Sequence, residues 1–303
     1  MRGLIDPPRL LRAGAAAAAG TAVTGTTVLA MAVSTEPDGG GPGQETAMRH
    51  SKPAPTIMFG AWFCPFVQRA WIALEEKGVP YQWQEINPYE DGQFGKATKL
   101  ALPLEEKKRR YPDFVAASPS GLVPAIVHEG SPLSGSMVCL EFVEEQWPDR
   151  APLLPAAPAE RAKVRQWSTF ASEKIVPQYY KLLMAQDEAA REAARTAVLG
   201  GLATWSDAMH TQEGPFFLGE QFSYADVALF PWMERMLTVG AAYRNFVLPE
   251  EPRFDRLRSW HEACQRRPSV RATLADESKL VANYAGYADN TATSAVAKSV
   301  RGG

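Results

Sequence analysis

The order of apolar patterns between residues 56 and 86 places the strongest constraint on the fold. Residues 56–60 (TIMFG) predict a short buried strand, and residues 65–77 predict a helix with proline in its first turn and glycine just after its end. Residues 81–86 predict a second strand. A strand–helix–strand unit of this length lays its second strand beside the first in the same direction. The sequence therefore predicts a sheet that begins parallel.

The later patterns predict that this α/β domain is followed by a helical domain. Residues 122–128 predict a third strand, Ser131-Pro132 the turn after it, and residues 136–146 a further helix. Beyond a proline-rich linker, helical periodicity dominates almost to the end of the chain. The predicted boundaries are 1–54 for a low-complexity extension, 55–150 for the α/β domain, 156–285 for an all-α domain and 286–303 for a disordered tail.

The first 54 residues differ in composition from the rest of the chain. Arginines near the start are followed by an uncharged run of mostly Ala, Gly and Thr, and then by a Gly/Pro linker. This composition is typical of an organellar transit peptide, Ala30-Met31-Ala32 has the form of a signal-peptidase site, and the uncharged run is long enough to span a bilayer. We favour a targeting segment over a low-complexity tail. A permanent anchor ranks below both, because Ala, Gly and Thr are weakly hydrophobic.

Charge and cysteine content narrow the class of function. Lys plus Arg is 32 and Asp plus Glu is 34, so the net charge is −2 and no basic surface for nucleic acid is expected. The three cysteines are too widely spaced for a disulfide framework, and no cysteine or histidine has metal-ligand spacing, so no metal is expected. These features predict a reducing compartment: the cytoplasm, or a mitochondrion or plastid if residues 1–54 are a transit peptide.

Cys64 is the candidate reactive residue because it lies between the first strand and its helix, in Trp62-Phe63-Cys64-Pro65-Phe66. The N–H groups and macrodipole of a helix N-terminus favour a thiolate, and such sites lower a cysteine pKa from about 8.5 into a range of about 3.5–7.5. Val67 stands where a second redox cysteine would be, so a diffusible thiol must resolve any mixed disulfide. The alternative is a cysteine that only packs, which is our interpretation of Cys139 and Cys264.

A second signal is Gly121-Leu122-Val123-Pro124, which places a proline at the start of a predicted strand. Proline is tolerated there at a sheet edge, where cis isomers also concentrate. A cis Pro124 would present the backbone N–H and C=O of Val123 to an extended peptide. Together with the cysteine, the motif indicates a thiol site that binds a peptide ligand.

These two motifs, with Ser136 and Glu141-Phe142, resemble the thioredoxin-like domain of omega-class glutathione transferases. Residues 216–219 (FFLG), 223–226 (SYAD) and 230–235 (FPWMER) are similar to the helical domain of that class. The resemblance runs from about residue 56 to residue 284. It implies a thioredoxin-like glutathione-binding domain joined to an all-α domain. The serine and aspartate of SYAD also have the form of an N-capping motif and are expected to be structural.

The resemblance implies a role for each matched residue. Cys64 forms a mixed disulfide with glutathione or activates its sulfur. The residues assigned to glutathione binding are Phe66, Val123, Pro124 and Ser136. Among these, Val123 pairs with the cysteinyl backbone of glutathione and Ser136 holds its γ-glutamyl carboxylate. Trp232 and Arg235 form a wall of the electrophile site or, alternatively, only pack.

Two departures from the family pattern are expected to affect the site. Gly135 stands where the family has a glutamate that receives the γ-glutamyl ammonium group, and losing that hydrogen bond costs about 1.5–3 kcal/mol. Residues 96–110 are interpreted as an insertion that remodels the rim of the site.

Two classes of function are compared. In the favoured one, the chain is an enzyme in which Cys64 attacks a glutathionylated or oxidised substrate and a second glutathione, the co-substrate, releases the cysteine. The resemblance implies dehydroascorbate or small disulfides as substrates, with conjugation to electrophiles secondary. The alternative is a non-catalytic binding or scaffold protein, which Gly135 favours and Cys64 opposes. A homodimer is expected from the resemblance, and membrane contact only through residues 1–54.

Overall fold

A four-stranded sheet forms the centre of the N-terminal domain in the part of the chain that the structure, a computed structural model, describes. That part comprises residues 55–90, 99–209 and 213–302, so the extension predicted for residues 1–54 lies outside it. The strands are β1 (Thr56–Gly60), β2 (Tyr81–Glu85), β3 (Ala125–His128) and β4 (Ser131–Ser134). Their order is β2-β1-β3-β4. β1 is parallel to β2 and antiparallel to β3, which confirms the predicted parallel start of the sheet.

The helix that follows β1 is α1 (Pro65–Glu76). It begins with a proline, which costs nothing there because the first N–H groups of a helix have no intrahelical partner. Val67, Ala70 and Leu74 are fully buried in the same apolar cluster as the centre of β1. The helix ends before Gly78, whose φ of 57° suits a residue without a side chain. These elements place the β1–α1 corner between a buried strand and a buried helix.

The β3–β4 hairpin differs from the prediction. Ser131-Pro132 was expected to be the turn, but these residues begin β4, where Pro132 lies opposite Val127. The chain turns instead at Glu129 and Gly130, whose φ angles are 49° and 81°. A two-residue hairpin turn with positive φ at both positions favours Asn-Gly or Asp-Gly. Because Glu129 stands where Asn or Asp is usual, the sequence did not indicate a turn at this position.

The segment before β3 also differs in detail from the prediction. The Val123–Pro124 peptide bond is cis, and β3 begins at Ala125, directly after the proline. β3 lies between β1 and β4 rather than at a sheet edge, so the predicted edge position is wrong. The proline is tolerated because it precedes the ladder, and its C=O accepts a hydrogen bond from the N–H of Gly135 at 3.1 Å.

Helices account for most of the remaining described residues. They are α2 (Leu104–Arg110), α3 (Pro112–Ala117), α4 (Ser136–Gln146), α5 (Pro158–Phe170), α6 (Val176–Met184), α7 (Glu188–Met209), α8 (Tyr224–Arg235), α9 (Ala241–Arg244), α10 (Asp255–Arg266), α11 (Pro268–Arg271), α12 (Glu277–Asn283), α13 (Ala285–Ala288) and α14 (Ala295–Gly302). Among them, no helix has both the length and the apolarity needed to cross a membrane. A thioredoxin-like domain followed by an all-α domain confirms the predicted fold class.

The N-terminus of α8 carries the predicted capping motif. The carboxylate of Asp226 accepts hydrogen bonds from the N–H of Ser223 at 2.7 Å and from the N–H of Phe217 at 2.8 Å. It also accepts one from Nε1 of Trp260 at 2.6 Å. Asp226 is completely buried, and these donors offset part of the cost of removing its charge from water, while burial still raises the pKa of its carboxyl. The structural role predicted for Ser223 and Asp226 is confirmed.

The C-terminal segment is folded where the sequence predicted a disordered tail. Ala292 and Ala297 are fully buried, and the N–H of Thr293 donates a hydrogen bond to the C=O of Lys99 at 3.0 Å. The Oγ1 of Thr293 accepts another from the N–H of Ala101 at 2.8 Å. The segment is poor in large apolar residues, so its tertiary contacts are not visible in the sequence pattern.

Candidate functional site

Cys64 lies in the wall of a cavity of about 400 Å³. One side of the cavity is formed by the β1–α1 corner and the segments before β3 and α4. The other side is formed by tyrosines of the helical domain and by the start of α14. The lining residues that matter for its chemistry are Cys64, Phe66, Lys99, Lys107, Val123 and Ser136. Of the predicted glutathione-binding residues, Phe66, Val123 and Ser136 therefore lie together with the cysteine, whereas Pro124 is buried behind the wall.

Backbone hydrogen bonds fix the position of the cysteine. Cys64 is the N-cap residue of α1, with φ −85° and ψ 119°. Its N–H donates to the C=O of Ala61 at 2.9 Å, and its C=O accepts from the N–H of Gln68 at 3.1 Å. The C=O of the preceding residue, Phe63, accepts a hydrogen bond from Nη2 of Arg235 at 3.0 Å. The half-buried thiol is thereby held at the start of the helix, facing the cavity.

The pKa of the Cys64 thiol is raised above its ordinary value. Burial raises this pKa most strongly. The N–H groups of Val67 and Phe66 lower it, as expected at a helix N-terminus, and so do the charges of Arg235 and Lys99. Their combined effect is smaller than that of burial, so the predicted lowering of the pKa is wrong. The sequence showed the helix but not the C-terminal segment that closes the cavity.

Ser136 is the first residue of α4, and its hydroxyl is oriented by a buried arginine. The Nη1 of Arg69 donates a hydrogen bond to the Ser136 Oγ at 3.3 Å. Because this Oγ accepts from Arg69, its own proton can be donated to a carboxylate in the cavity. Arg69 also donates to the C=O of Ala228 at 2.8 Å and lies 4.2 Å above the ring centroid of Trp232. Burial lowers the pKa of this guanidinium to about 9.

Val123 offers backbone groups to the cavity. In the described residues, neither its N–H nor its C=O forms a backbone hydrogen bond. Phe66 lines the cavity and packs against Trp232, with ring centroids 4.8 Å apart at an interplanar angle of 80°. An unpaired backbone donor and acceptor beside a thiol is suited to a ligand that contains a peptide unit.

The two residues predicted for an electrophile site do not line the cavity. Trp232 is fully buried behind Phe66. Arg235 is 2% exposed and donates to Gln68 Oε1 at 2.7 Å and to the hydroxyl of Tyr284 at 2.9 Å, besides its bond to the β1–α1 corner. The structure therefore supports the packing alternative for both residues. Arg235 acts on the site indirectly, by holding the residue before the cysteine.

Lys99 and Lys107 line the cavity although the sequence analysis assigned neither to the site. Both belong to the segment that was interpreted as an insertion, of which residues 96–98 lie outside the described residues. Lys107 lies in α2, and its Nζ donates to the C=O of Gly121 at 2.9 Å. Nothing in the sequence of residues 96–110 indicates which lysine is buried, so sequence alone offered no signal. No acidic residue of the described chain lines the cavity.

Within residues 55–90, 99–209 and 213–302, no group of three His, Cys, Asp or Glu side chains could hold a metal ion.

Two family patterns match the chain. The pattern "Glutathione S-transferase, N-terminal domain" matches residues 63–146, and "Glutathione S-transferase, C-terminal domain" matches residues 188–263. Among curated proteins, glutathione S-transferase U26 of Arabidopsis thaliana is 27% identical over 230 residues, which is 74% of this chain and 91% of the relative. The probable glutathione S-transferase parC of Nicotiana tabacum is 29% identical over 231 residues, with the same coverage.

Solved structures show the same relationship. The glutathione transferase Omega 3C from Trametes versicolor is 35% identical, with a TM-score of 0.65, covering 81% of this chain and 95% of that one. A rice glutathione transferase, solved in complex with glutathione, is 23% identical, with a TM-score of 0.59, covering 76% of this chain and 95% of that one. The second likeness shows the fold alone.

Proposed function

The chain belongs to the glutathione S-transferase family, and on this premise we propose that it is an omega-like member that transfers thiols through Cys64. The observation that carries the proposal is the cysteine at the N-cap of α1, in the wall of the cavity. Transferases that mainly conjugate have Tyr or Ser at this corner, where a hydroxyl hydrogen-bonds the glutathione thiolate. A cysteine can instead form a covalent disulfide with glutathione.

The cavity residues fit glutathione in most respects. The backbone of Val123 would pair with the cysteinyl unit, and Ser136, backed by Arg69, would hold the γ-glutamyl carboxylate. Lys107 would face the glycine carboxylate. The missing partner is the family's glutamate for the γ-glutamyl ammonium group, since Gly135 occupies that position. Glutathione would therefore bind with a weaker hold on its amino group.

The proposed reaction has two steps. The Cys64 thiolate attacks the glutathione sulfur of a mixed disulfide, the S–S bond breaks, and the released thiolate takes a proton from water. Cys64 then carries glutathione as a disulfide. The thiolate of a second glutathione attacks the sulfur of the bound glutathione, so oxidised glutathione leaves and the Cys64 thiolate is restored. Val67 stands where a resolving cysteine would be, which is why the second thiol must come from solution.

Small disulfides and dehydroascorbate are the oxidised substrates that we propose, with conjugation to electrophiles as a secondary activity. All three cysteines are free thiols, which supports the proposal that the protein works in a reducing compartment.

A homodimer is proposed by analogy with the family, and light scattering of the purified protein would test it.

The decisive experiment is glutathione-dependent reduction of bis(2-hydroxyethyl) disulfide by the wild type and by Cys64→Ser. We expect the serine variant to lose at least about 100-fold in rate, because serine cannot form the mixed disulfide. The matched control is Cys139→Ala, which alters a buried cysteine that does not line the cavity and should keep the wild-type rate. Unchanged reduction in Cys64→Ser would overturn the proposal, because the reaction would then not pass through Cys64.

A further inference from the structure

Lys99 is buried in the cavity next to aromatic rings and not next to an acid. Its residue is 2% exposed, and its Nζ lies 3.4 Å from the ring centroid of Phe63 and 4.6 Å from that of Tyr89. The Nζ also donates a hydrogen bond to Oδ1 of Asn283. In the part of the chain that the structure describes, no carboxylate lies within ion-pair distance of it. A buried ammonium without a counter-charge is unfavourable, so its placement beside a reactive thiol suggests a role in the reaction.

The backbone at Lys99 is held in an unfavourable conformation. Its φ is 53°, in the left-handed region that residues with a side chain rarely adopt. Such a conformation persists only where the surroundings impose it, and it is found preferentially at functional sites. Here Thr293 holds the backbone, because its N–H donates to the C=O of Lys99 and its Oγ1 accepts from the N–H of Ala101. The C-terminal segment therefore fixes the lysine in the cavity.

The groups that face Cys64 leave Lys99 as its available partner. The titratable groups that interact with the thiol are Lys99, Arg235, Tyr89, Tyr180, Tyr284 and Tyr287. Burial raises the pKa of each of these tyrosines, so their hydroxyls stay neutral at physiological pH. Arg235 is occupied by four hydrogen bonds to neighbouring groups. Lys107, the other lysine of the cavity, donates from its Nζ to the C=O of Gly121, and it is not among the groups that act on the thiol. Lys99 is therefore the cavity lysine whose charge acts on Cys64.

Burial acts in opposite directions on the two groups. It raises the pKa of the Cys64 thiol, and it lowers the pKa of the Lys99 amine well below its ordinary value. The charge of each group favours the charged form of the other, while Arg235 also lowers the pKa of Lys99. Two groups related in this way titrate as a pair.

We propose that Lys99 is a positioning residue whose ammonium charge, in the same cavity as the sulfur and against the ring of the residue before it, favours the thiolate form of Cys64. When the thiol ionises, the S–H bond breaks, the proton leaves to water and the electron pair stays on the sulfur. The inference rests on the proposed function only in taking Cys64 as the nucleophile.

The test measures the rate of Cys64 alkylation by iodoacetamide between about pH 5 and pH 10. In Lys99→Met, the inflection should move up by at least about one pH unit, which slows alkylation at neutral pH by about tenfold. Lys99→Arg keeps a permanent cation, so its inflection should lie at or below that of the wild type. The matched control is Lys298→Met, which removes an exposed lysine of α14 and should leave the profile unchanged. Cys139 and Cys264 are fully buried, and Cys64→Ser gives the background rate.

A wild-type profile in folded Lys99→Met, as judged by circular dichroism, would overturn the inference. If that variant does not fold, Lys99→Arg decides, because an inflection above that of the wild type contradicts an electrostatic pairing. The alkylation assay contains no glutathione. Its outcome is therefore separate from the disulfide-reduction experiment, which alone decides whether the enzyme transfers thiols.

Discussion

At the scale of single residues, Gly135 leaves the proposed glutathione site without a carboxylate. It is the N-cap residue of α4, with a φ of 101° that a residue with a side chain rarely adopts. A side chain here would have space, because an added Cβ would meet only Val138, at 3.7 Å and 3.9 Å. Glycine at this position therefore has two effects: it adopts the positive φ without strain, and it provides no carboxylate to a ligand. Substitution can separate the two effects.

Gly135→Glu should bind glutathione more tightly and unfold more easily. The new carboxylate can accept from the γ-glutamyl ammonium group, which we expect to lower the dissociation constant about tenfold. The positive φ should cost about 1–2 kcal/mol in the free energy of unfolding. Calorimetric titration and thermal unfolding would measure the two effects. Gly135→Ala is the matched control, with the same loss of stability and no gain in affinity. Equal affinity of both variants would show that the ammonium group binds elsewhere.

Single residues also show how far the sequence could predict the site. Cys64 was identified because a strand, a cysteine and a helix follow one another directly in the chain. The direction of its pKa was predicted wrongly, because burial depends on residues more than 200 positions away. Lys99 was missed for the same reason. Its role depends on Phe63, Asn283 and Thr293, which only the folded chain brings to it.

At the scale of elements, the segment from α13 to α14 completes the cavity wall. Ser294 and Val296 line the cavity, and the hydroxyl of Tyr287 is 2.7 Å from the Ser294 Oγ. Thr293 connects this segment to the N-terminal domain through two hydrogen bonds. The sequence analysis predicted the bounds of α4 correctly. It could not predict α14, because this short helix is held in place by hydrogen bonds between Thr293 and the loop that contains Lys99 and Ala101.

Thr293→Val should loosen the cavity wall while keeping its shape. The variant leaves the N–H of Ala101 without a partner, which should cost about 1–3 kcal/mol. Hydrogen exchange followed by mass spectrometry should show faster exchange in residues 99–101 and 293–297. Thr291→Val is the matched control, because the hydroxyl of this exposed residue makes only a 3.3 Å hydrogen bond to the C=O of Gly286. Wild-type exchange rates in Thr293→Val would mean that packing alone holds the segment.

At the scale of the whole molecule, two buried arginines join the two domains in opposite directions. Arg69, in α1, donates to the C=O of Ala228 in α8. Arg235, at the end of α8, donates to the C=O of Phe63 and to Gln68 in α1. Neither guanidinium pairs with a carboxylate within the described chain, so backbone, hydroxyl and side-chain amide oxygens accept their hydrogen bonds. We therefore expect the two domains to unfold in one transition.

Arg235→Leu should destabilise the whole molecule. The change leaves several buried oxygens without their donor, so we expect a loss of about 3–5 kcal/mol in the free energy of unfolding. Urea unfolding followed by fluorescence and by circular dichroism would measure the loss and show whether the two signals still coincide. The matched control is Arg266→Leu, which removes an exposed ion pair with Glu262 and should cost less than about 1 kcal/mol. Equal stability of the two variants would contradict a joining role.

The position of Pro132 has a consequence for aggregation. β4 is an outer strand of the sheet, and an outer strand is a template on which a second molecule can add its own strand. His128 and Ser131 are the pair that closes the two-residue turn, and Val127 and Pro132 are the next pair. Because hydrogen-bonded and non-hydrogen-bonded pairs alternate along an antiparallel ladder, the nitrogen of Pro132 points away from β3. A proline nitrogen carries no hydrogen, so an incoming strand finds a donor missing in the middle of this four-residue edge. Replacing Pro132 would restore that donor and create a site for intermolecular strand pairing.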